Sequence, residues 1–266
     1  MTGSVRSLAF RTDLALLAAQ GAEIAEGAGA TVVRMPGNPA FRWGNFLLVP
    51  EAGAPEDRIL EHAAVFPGAG FTTVGVDDPH PCLDEGAWLS AGFSIERHAV
   101  LVADRAPAMA GPVVRPLTTD ADWAAETAIA ISLDADPDGT PDPVQAAFSR
   151  QRTEEKHRLT ERGRAVWLGV ELDGAVVATA GIADAGDRTA RFQDVQTAEG
   201  HRRRGCAGAL IAAGVRTAAR RFGSVRFVLV AERDGPAIGL YRRLGFRETE
   251  TQLRLTRLGG AVGPTA

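Results

Sequence analysis

The chain has almost no cysteine: Cys82 and Cys206 are the only two in 266 residues. Two thiols so far apart in sequence do not suggest a disulfide framework or a zinc site. Lysine is scarcer still, with Lys156 standing alone. Positive charge is therefore carried almost wholly by arginine, whose planar fork suits phosphate. Tyrosine also occurs once, as Tyr241. No apolar run approaches the roughly 20 residues needed to span a bilayer. The opening MTGSVRSLAFRTDLALLAAQG has helical spacing but neither a signal-peptide core nor a cleavage site, so a cytoplasmic protein is expected. A formal net charge of −4 and a pI near 5.8 argue against a general nucleic-acid or membrane binder. What remains, 45% hydrophobic and 23% charged residues, is the composition of one large globular domain or two small ones.

The most informative stretch runs from Phe192 to Phe222, FQDVQTAEGHRRRGCAGALIAAGVRTAARRF. A short strand (Phe192 to Thr197) passes through a polar turn into an amphipathic helix. Arg202, Arg203 and Arg204 supply positive charge. Gly205, Ala207 and Gly208 leave little bulk in front of the first helical amides, which have no intrahelical acceptor and suit a pyrophosphate. Cys206 reads as a small packing residue within this loop. The glycine spacing is neither the dinucleotide fingerprint nor a P-loop, which would need a following Gly-Lys-Ser/Thr. On the run alone, a solvated helix start stays open as an alternative.

Arg202-x-x-Gly205-x-Ala207 after a strand resembles the acyl-CoA signature Gln/Arg-x-x-Gly-x-Gly/Ala of the GNAT acyltransferase superfamily. Downstream, RDGPAIGLYRRLGF resembles that superfamily's closing segment Asn-x-x-Ala-x-x-Leu-Tyr-x-x-x-Gly-Phe, with Asp234 where Asn is usual and Ala237, Leu240, Tyr241, Gly245 and Phe246 matching. The resemblance implies transfer of an acetyl group from acetyl-CoA, without a metal, to a primary amine on a small molecule or peptide. It implies that Val195, Gln196 and Thr197 pair through their backbone with the pantetheine arm. Arg202 to Gly208 would hold the diphosphate, Asp234 and Ala237 would sit beside the coenzyme, and Tyr241 would protonate the departing thiolate. For the base, Asp194 and Glu232 are the candidates; strand alternation would place Asp194 and Gln196 on one face and Gln193, Val195 and Thr197 on the other. A non-catalytic acyl-CoA-binding or sensing module is the competing reading. The sequence does not identify the acceptor or decide whether the chain dimerises.

The ending repeats. AWLSAGFSIERHAVLVA, from Ala87, aligns with LYRRLGFRETETQLRLT, from Leu240, so that Gly92-Phe93 falls on Gly245-Phe246. This suggests two tandem copies of one fold. The expected class is α+β, a mixed and mainly antiparallel sheet flanked by helices in each copy. The expected division is a degenerate copy over 1–106, a linker over 107–112, a catalytic copy over 113–258 and a flexible tail over 259–266. The first copy should hold coenzyme poorly. At its loop, PEAGAPED, Pro50 and Pro55 remove amide donors while Glu51, Glu56 and Asp57 place negative charge where an anion would sit; Trp88 replaces the tyrosine. Between two helices of the second copy, Asp134, Asp136, Asp138 and Asp142 form an acidic loop, read as solvated. It is no calcium loop, because its twelfth position is Gln145 rather than glutamate.

Overall fold

The computed structural model describes residues 5–27, 29–109, 111–135 and 140–259. These described residues form two compact units, one within 5–101, 230–238 and 248–259, the other within 102–229 and 239–247.

In the first unit, α1 (Leu8–Ala19) begins at Ser7, whose hydroxyl caps Phe10 N. The strand β1 (Glu23–Glu26) and β2 (Thr31–Arg34) form an antiparallel hairpin. Then follow β3 (Phe46–Val49), α2 (Pro55–Val65), β4 (Phe71–Val76), α3 (Glu85–Ser90) and β5 (Ser94–Ala103). β3 and β4 pair in parallel through Leu47↔Val74, Leu48↔Gly75 and Val49↔Val76, and Asp77 N adds one more bond to Val49 O. The ladder is closed to the end of β3. Its far edge is taken by the last strand of the chain, β11 (Arg247–Leu258), antiparallel to β4 from Leu253↔Val76 to Leu258↔Phe71. Thus β11, which lies within 113–258 in the division drawn from sequence, completes the sheet of the first unit in the order β1-β2-β3-β4-β11-β5. Leu253 and Leu255 are fully buried there with Val49, Val74 and Trp88.

The second unit starts with β6 (Val114–Pro116) and α4 (Asp120–Leu133). Thr119 and Asp122 cap α4 reciprocally, a device worth about 1 kcal/mol. Next come α5 (Pro143–Glu161) and the hairpin of β7 (Ala165–Leu172) and β8 (Ala175–Asp184), turned at Asp173 and Gly174 with φ of 53° and 79° as a type I′ turn requires. The strand β9 (Thr189–Thr197), the helix α6 (Cys206–Phe222), β10 (Arg226–Glu232) and α7 (Ile238–Arg243) follow. The strand order is β10-β9-β8-β7-β6, antiparallel except for the β9–β10 pair. One face of this sheet meets α6, where a Cβ on Gly214 would come within 2.6 Å of Phe192 and 3.7 Å of Ile182. On the other face the Trp167 ring lies over Gly181, Trp123 of α4 lies 6.1 Å from Trp167, and His157 of α5 lies 4.7 Å from Trp123.

The repeat holds bond by bond. Ala91 N to Ala87 O, Gly92 N to Leu89 O and Phe93 N to Trp88 O have as counterparts Leu244 N to Leu240 O, Gly245 N to Arg242 O and Phe246 N to Tyr241 O. Gly92 and Gly245 sit at φ of 83° and 87°, the left-handed conformation in which glycine closes a helix.

Candidate functional site

β9 carries an irregularity that period-two reasoning does not anticipate. Thr179 faces Gln196 and Gly181 faces Gln193 across the β8–β9 ladder, so β9 has one extra residue between these pairs. Asp194 lies in this bulge at φ 44°. Cross-strand partners share a face, so Gln193 and Gln196 both lie on the α4–α5 side with Gly181 and Thr179. The expectation that Gln193 faces away from Asp194 and Gln196 is therefore corrected: the inserted residue resets the alternation. Thr197, opposite Ala178, keeps to the α6 face.

Beyond the bulge, β9 is paired on one side only. Its ladder to β10 consists of Thr189↔Arg226, Ala190↔Phe227 and Arg191↔Val228, whereas its ladder to β8 runs on to Thr197. Val195, Gln196 and Thr197 therefore lie on the stretch of β9 past its last pairing with β10.

β9 leads into a 3₁₀ turn, Glu199–His201, and then into the arginine run. Arg203 has φ 67° and Gly205, the N-cap of α6, has φ 81°. Two left-handed residues so close together bend the chain sharply ahead of α6, the kind of turn in which anion-binding nests form. The first backbone bond of α6 is Ala209 N to Gly205 O. Among the described residues, the amides of Arg203, Arg204, Gly205, Cys206, Ala207 and Gly208 have no backbone acceptor. Arg202, Arg203 and Arg204 are exposed, Gly205 and Ala207 half-buried. Cys206 is 2% exposed with its sulfur 4.0 Å from His201 O; burial pushes its thiol pKa up, which suits a packing residue rather than a nucleophile.

Around the first turn of α6 the chain is close. Met109 lies directly on Gly208 and Gly111 on Ala209, where a Cβ on either glycine would clash, and Leu244 comes within 3.9 Å of the Gly208 Cβ position. A cavity of about 600 Å³ opens here, lined by Arg105, Met109, Leu240, Arg243 and Leu244. Tyr241 belongs to the same helix, α7, which Leu244 ties to α6 and the Phe246 ring, 6.3 Å from Phe192, ties to β9. The phenol is 5% exposed and its hydroxyl bonds no described residue, yet it is not among the fully occluded polar atoms. Burial pushes its pKa up to about 12, so it holds its proton at neutral pH.

Asp194 meets Lys156 at 3.0 Å, and Lys156 in turn reaches Glu126 at 2.6 Å, which also accepts from Thr153 Oγ1. Lys156 is 4% exposed and Glu126 fully buried. Desolvation disfavours charge on both Lys156 and Asp194, but their partners outweigh it: the lysine pKa is raised by Asp194 and Glu126, and the aspartate pKa is lowered by Lys156 and then Arg152. Asp194 is thus held ionised. Lys156 and Glu126 escape sequence reasoning because a Lys within a charged helix looks solvated; the usable signal was that it is the sole lysine of an arginine-rich chain. Of the other residues expected at the site, Glu232 is exposed at the end of β10, and Asp234 and Ala237 lie in the turn after it. All three fall in the first compact unit. In the acidic loop, Asp134 accepts from Gln145 and Ser149, and Asp142 caps α5 through Val144 N; Asp136 and Asp138 lie outside the described residues, as does the tail from 260 on.

The comparisons with known proteins bear on the family and the fold. The model of the acetyltransferase (GNAT) family matches residues 130–246, from the end of α4 to Phe246. Residues 130–246 belong to the GNAT family. Among solved structures, a conserved protein from Staphylococcus epidermidis aligns over 90% of this chain and 95% of its own at 12% identity, with a TM-score of 0.68. A GCN5-related N-acetyltransferase from Kribbella flavida aligns over 98% of both chains at 17% identity, TM-score 0.64. A tandem GNAT protein from the clavulanic acid biosynthesis pathway aligns over 91% of this chain and 79% of its own at 18% identity, TM-score 0.53. These share the fold. No curated protein matches the sequence. Among the described residues no helix is long and apolar enough to cross a membrane, and no cluster of side chains suits a metal ion.

Proposed function

We propose that the chain is an acetyl-CoA-dependent N-acetyltransferase that moves the acetyl group directly to a primary amine. The observation that carries this reading is the turn from Arg203 to Gly208, whose amides lack backbone acceptors at the start of α6. That arrangement fits a diphosphate, which would accept from these amides at the positive end of the helix dipole and draw on Arg202 to Arg204. Arg105 and Arg243, with no carboxylate partner among the described residues, line the adjoining cavity, which suits the 3′-phosphorylated adenosine. The unpaired edge of β9 at Val195 to Thr197 offers backbone groups to the amides of the pantetheine arm.

In this reading the amine nitrogen attacks the thioester carbonyl carbon, the carbon–sulfur bond breaks, and the sulfur takes a proton from the Tyr241 hydroxyl. The phenol regains a proton as the acylated nitrogen loses one, so the products are an amide and a free thiol. A phenol kept neutral by burial is suited to donate. Asp194, held ionised by Lys156, is a weak proton acceptor and acts by its charge. The non-catalytic acyl-CoA-binding reading is distinguished by turnover.

The test is a thermal-shift titration with acetyl-CoA followed by thiol release over a panel of primary amines. Stabilisation by acetyl-CoA that is lost in Gly205→Glu, together with thiol release that requires an amine, supports the assignment. Unchanged acetyl-CoA affinity in Gly205→Glu removes the loop from it.

A further inference from the structure

We propose that the first unit carries a separate binding site for a small apolar carboxylate, between the ends of β2, β3 and α2. A cavity of about 850 Å³ lies there, within the range of small-molecule sites. Its walls are largely apolar, with Met35, Val65, Phe66 and Phe71 prominent, and its only charged residues are Arg34 and Arg42. No carboxylate lines it, so an entering ligand meets two positive charges and no negative one.

Both guanidiniums are free to act. Arg34 donates one hydrogen bond, Nη2 to Val65 O at 2.9 Å, and lies 5.4 Å from the Phe66 ring centroid. It holds no carboxylate. The Arg42 side chain makes no hydrogen bond or ion pair with any described residue. Elsewhere in the same unit Arg58 pairs with Glu61, Arg97 with Glu85 and Arg254 with Asp13, while Arg6 and Arg257 give their forks to backbone carbonyls. Arg34 and Arg42 differ in sharing one apolar hollow.

The loop that presents Arg42 is firmly built. Asn45 Oδ1 accepts from Met35 N at 3.0 Å, and Asn45 Nδ2 donates to Asn38 O and Phe41 O at 2.9 Å each. Asn45 is 4% exposed and fully used by these bonds. Thr73 Oγ1 adds a bond to Asn45 O at 2.7 Å. The arginine therefore hangs from a preorganised scaffold, which lowers the ordering cost of binding. A flat or branched apolar body would fill the hollow against Phe66 and Phe71, and its carboxylate would accept from the arginine forks. Phosphate esters of similar size are disfavoured by the apolar walls.

The transferase reading makes no use of this site. The probe is 2-naphthoate, titrated into the full chain by calorimetry beside the isosteric neutral 2-naphthylmethanol. The expected result is saturable binding of the naphthoate, weakened about tenfold or more for the alcohol and in each of Arg34→Gln and Arg42→Gln. Both arginines are exposed, so these variants should keep the wild-type melting temperature. Gly205→Glu should bind the naphthoate as the wild type does, which separates this site from the coenzyme loop. Equal affinity for acid and alcohol, undiminished binding in both arginine variants, or no saturable binding overturns the proposal. So does loss of naphthoate binding in Gly205→Glu.

Discussion

The two halves of the chain begin from the same strand–loop–helix–strand plan and diverge at one place. In the first unit, β3 and β4 pair to the last residue of β3 and one bond beyond it. In the second, the β9–β10 ladder stops at Arg191 and Val228 while β9 continues to Thr197. A bulge at Asp194 separates the two outcomes, because an extra residue twists β9 out of register with a straight neighbour. The loops differ in the same sense. Arg58 of α2 turns back to donate to Ala52 O and Glu51 O, and Arg6 donates to Pro50 O and Asp77 O. The first copy thus satisfies carbonyls with its own guanidiniums, where the second leaves amides unpaired. The difference teaches that one topology can present opposite chemistry in its two copies: closing one ladder and reversing the polarity of one loop are enough.

Four experiments bear on that contrast. Tyr241→Phe should slow thiol release by about 100-fold or more while leaving the acetyl-CoA dissociation constant within about threefold. Its counterpart, Trp88→Phe, should cost stability without touching turnover. Equal losses of rate and binding in Tyr241→Phe would reduce the ring to a wall of the pocket. Lys156→Met should destabilise the second unit by about 3–5 kcal/mol, since Glu126 would be left buried without its counter-charge; chemical denaturation measures this, and the double variant Lys156→Met, Glu126→Gln should recover much of it.

The first unit should respond instead to acid. Burial lowers the His62 pKa to about 4 from 6.5, a bond donated to the Asn45 backbone carbonyl opposing the shift. A depressed value means that the unfolded chain takes up a proton first as the pH falls, so stability is full above 6.5 and declines towards 4. The loss is about 3 kcal/mol over that window, and His62→Gln should flatten the profile of melting temperature against pH. The smallest effect is expected at Thr197→Ala: if β9 serves the coenzyme through its backbone, acetyl-CoA affinity should change by no more than about threefold.

What could be read from the sequence was local. The Asp173-Gly174 turn, the arginine-glycine loop and the Gly-Phe helix endings each depend on a few adjacent residues, and each was legible. The strand β1 was not, because Glu-Ile-Ala-Glu has no buried face of its own and holds only by pairing with β2. The bulge at Asp194 was invisible for another reason: it is a mismatch between two strands, and neither strand alone records it. The partner of Asp194 was hidden by distance along the chain, and the destination of β11 by the same cause. Its alternating pattern declares a strand but not which edge it joins.

That last strand sets an order of events during synthesis. Until residues 247–258 have emerged from the ribosome, the edge of β4 that β11 takes has no partner, and an exposed edge of this kind invites pairing with other chains. The earlier-made of the two units is therefore the later one to be finished. A nascent chain cut short after Phe246 would contain the whole segment matched by the acetyltransferase family and still leave its earliest-made half incomplete, dependent on chaperones or destined for degradation.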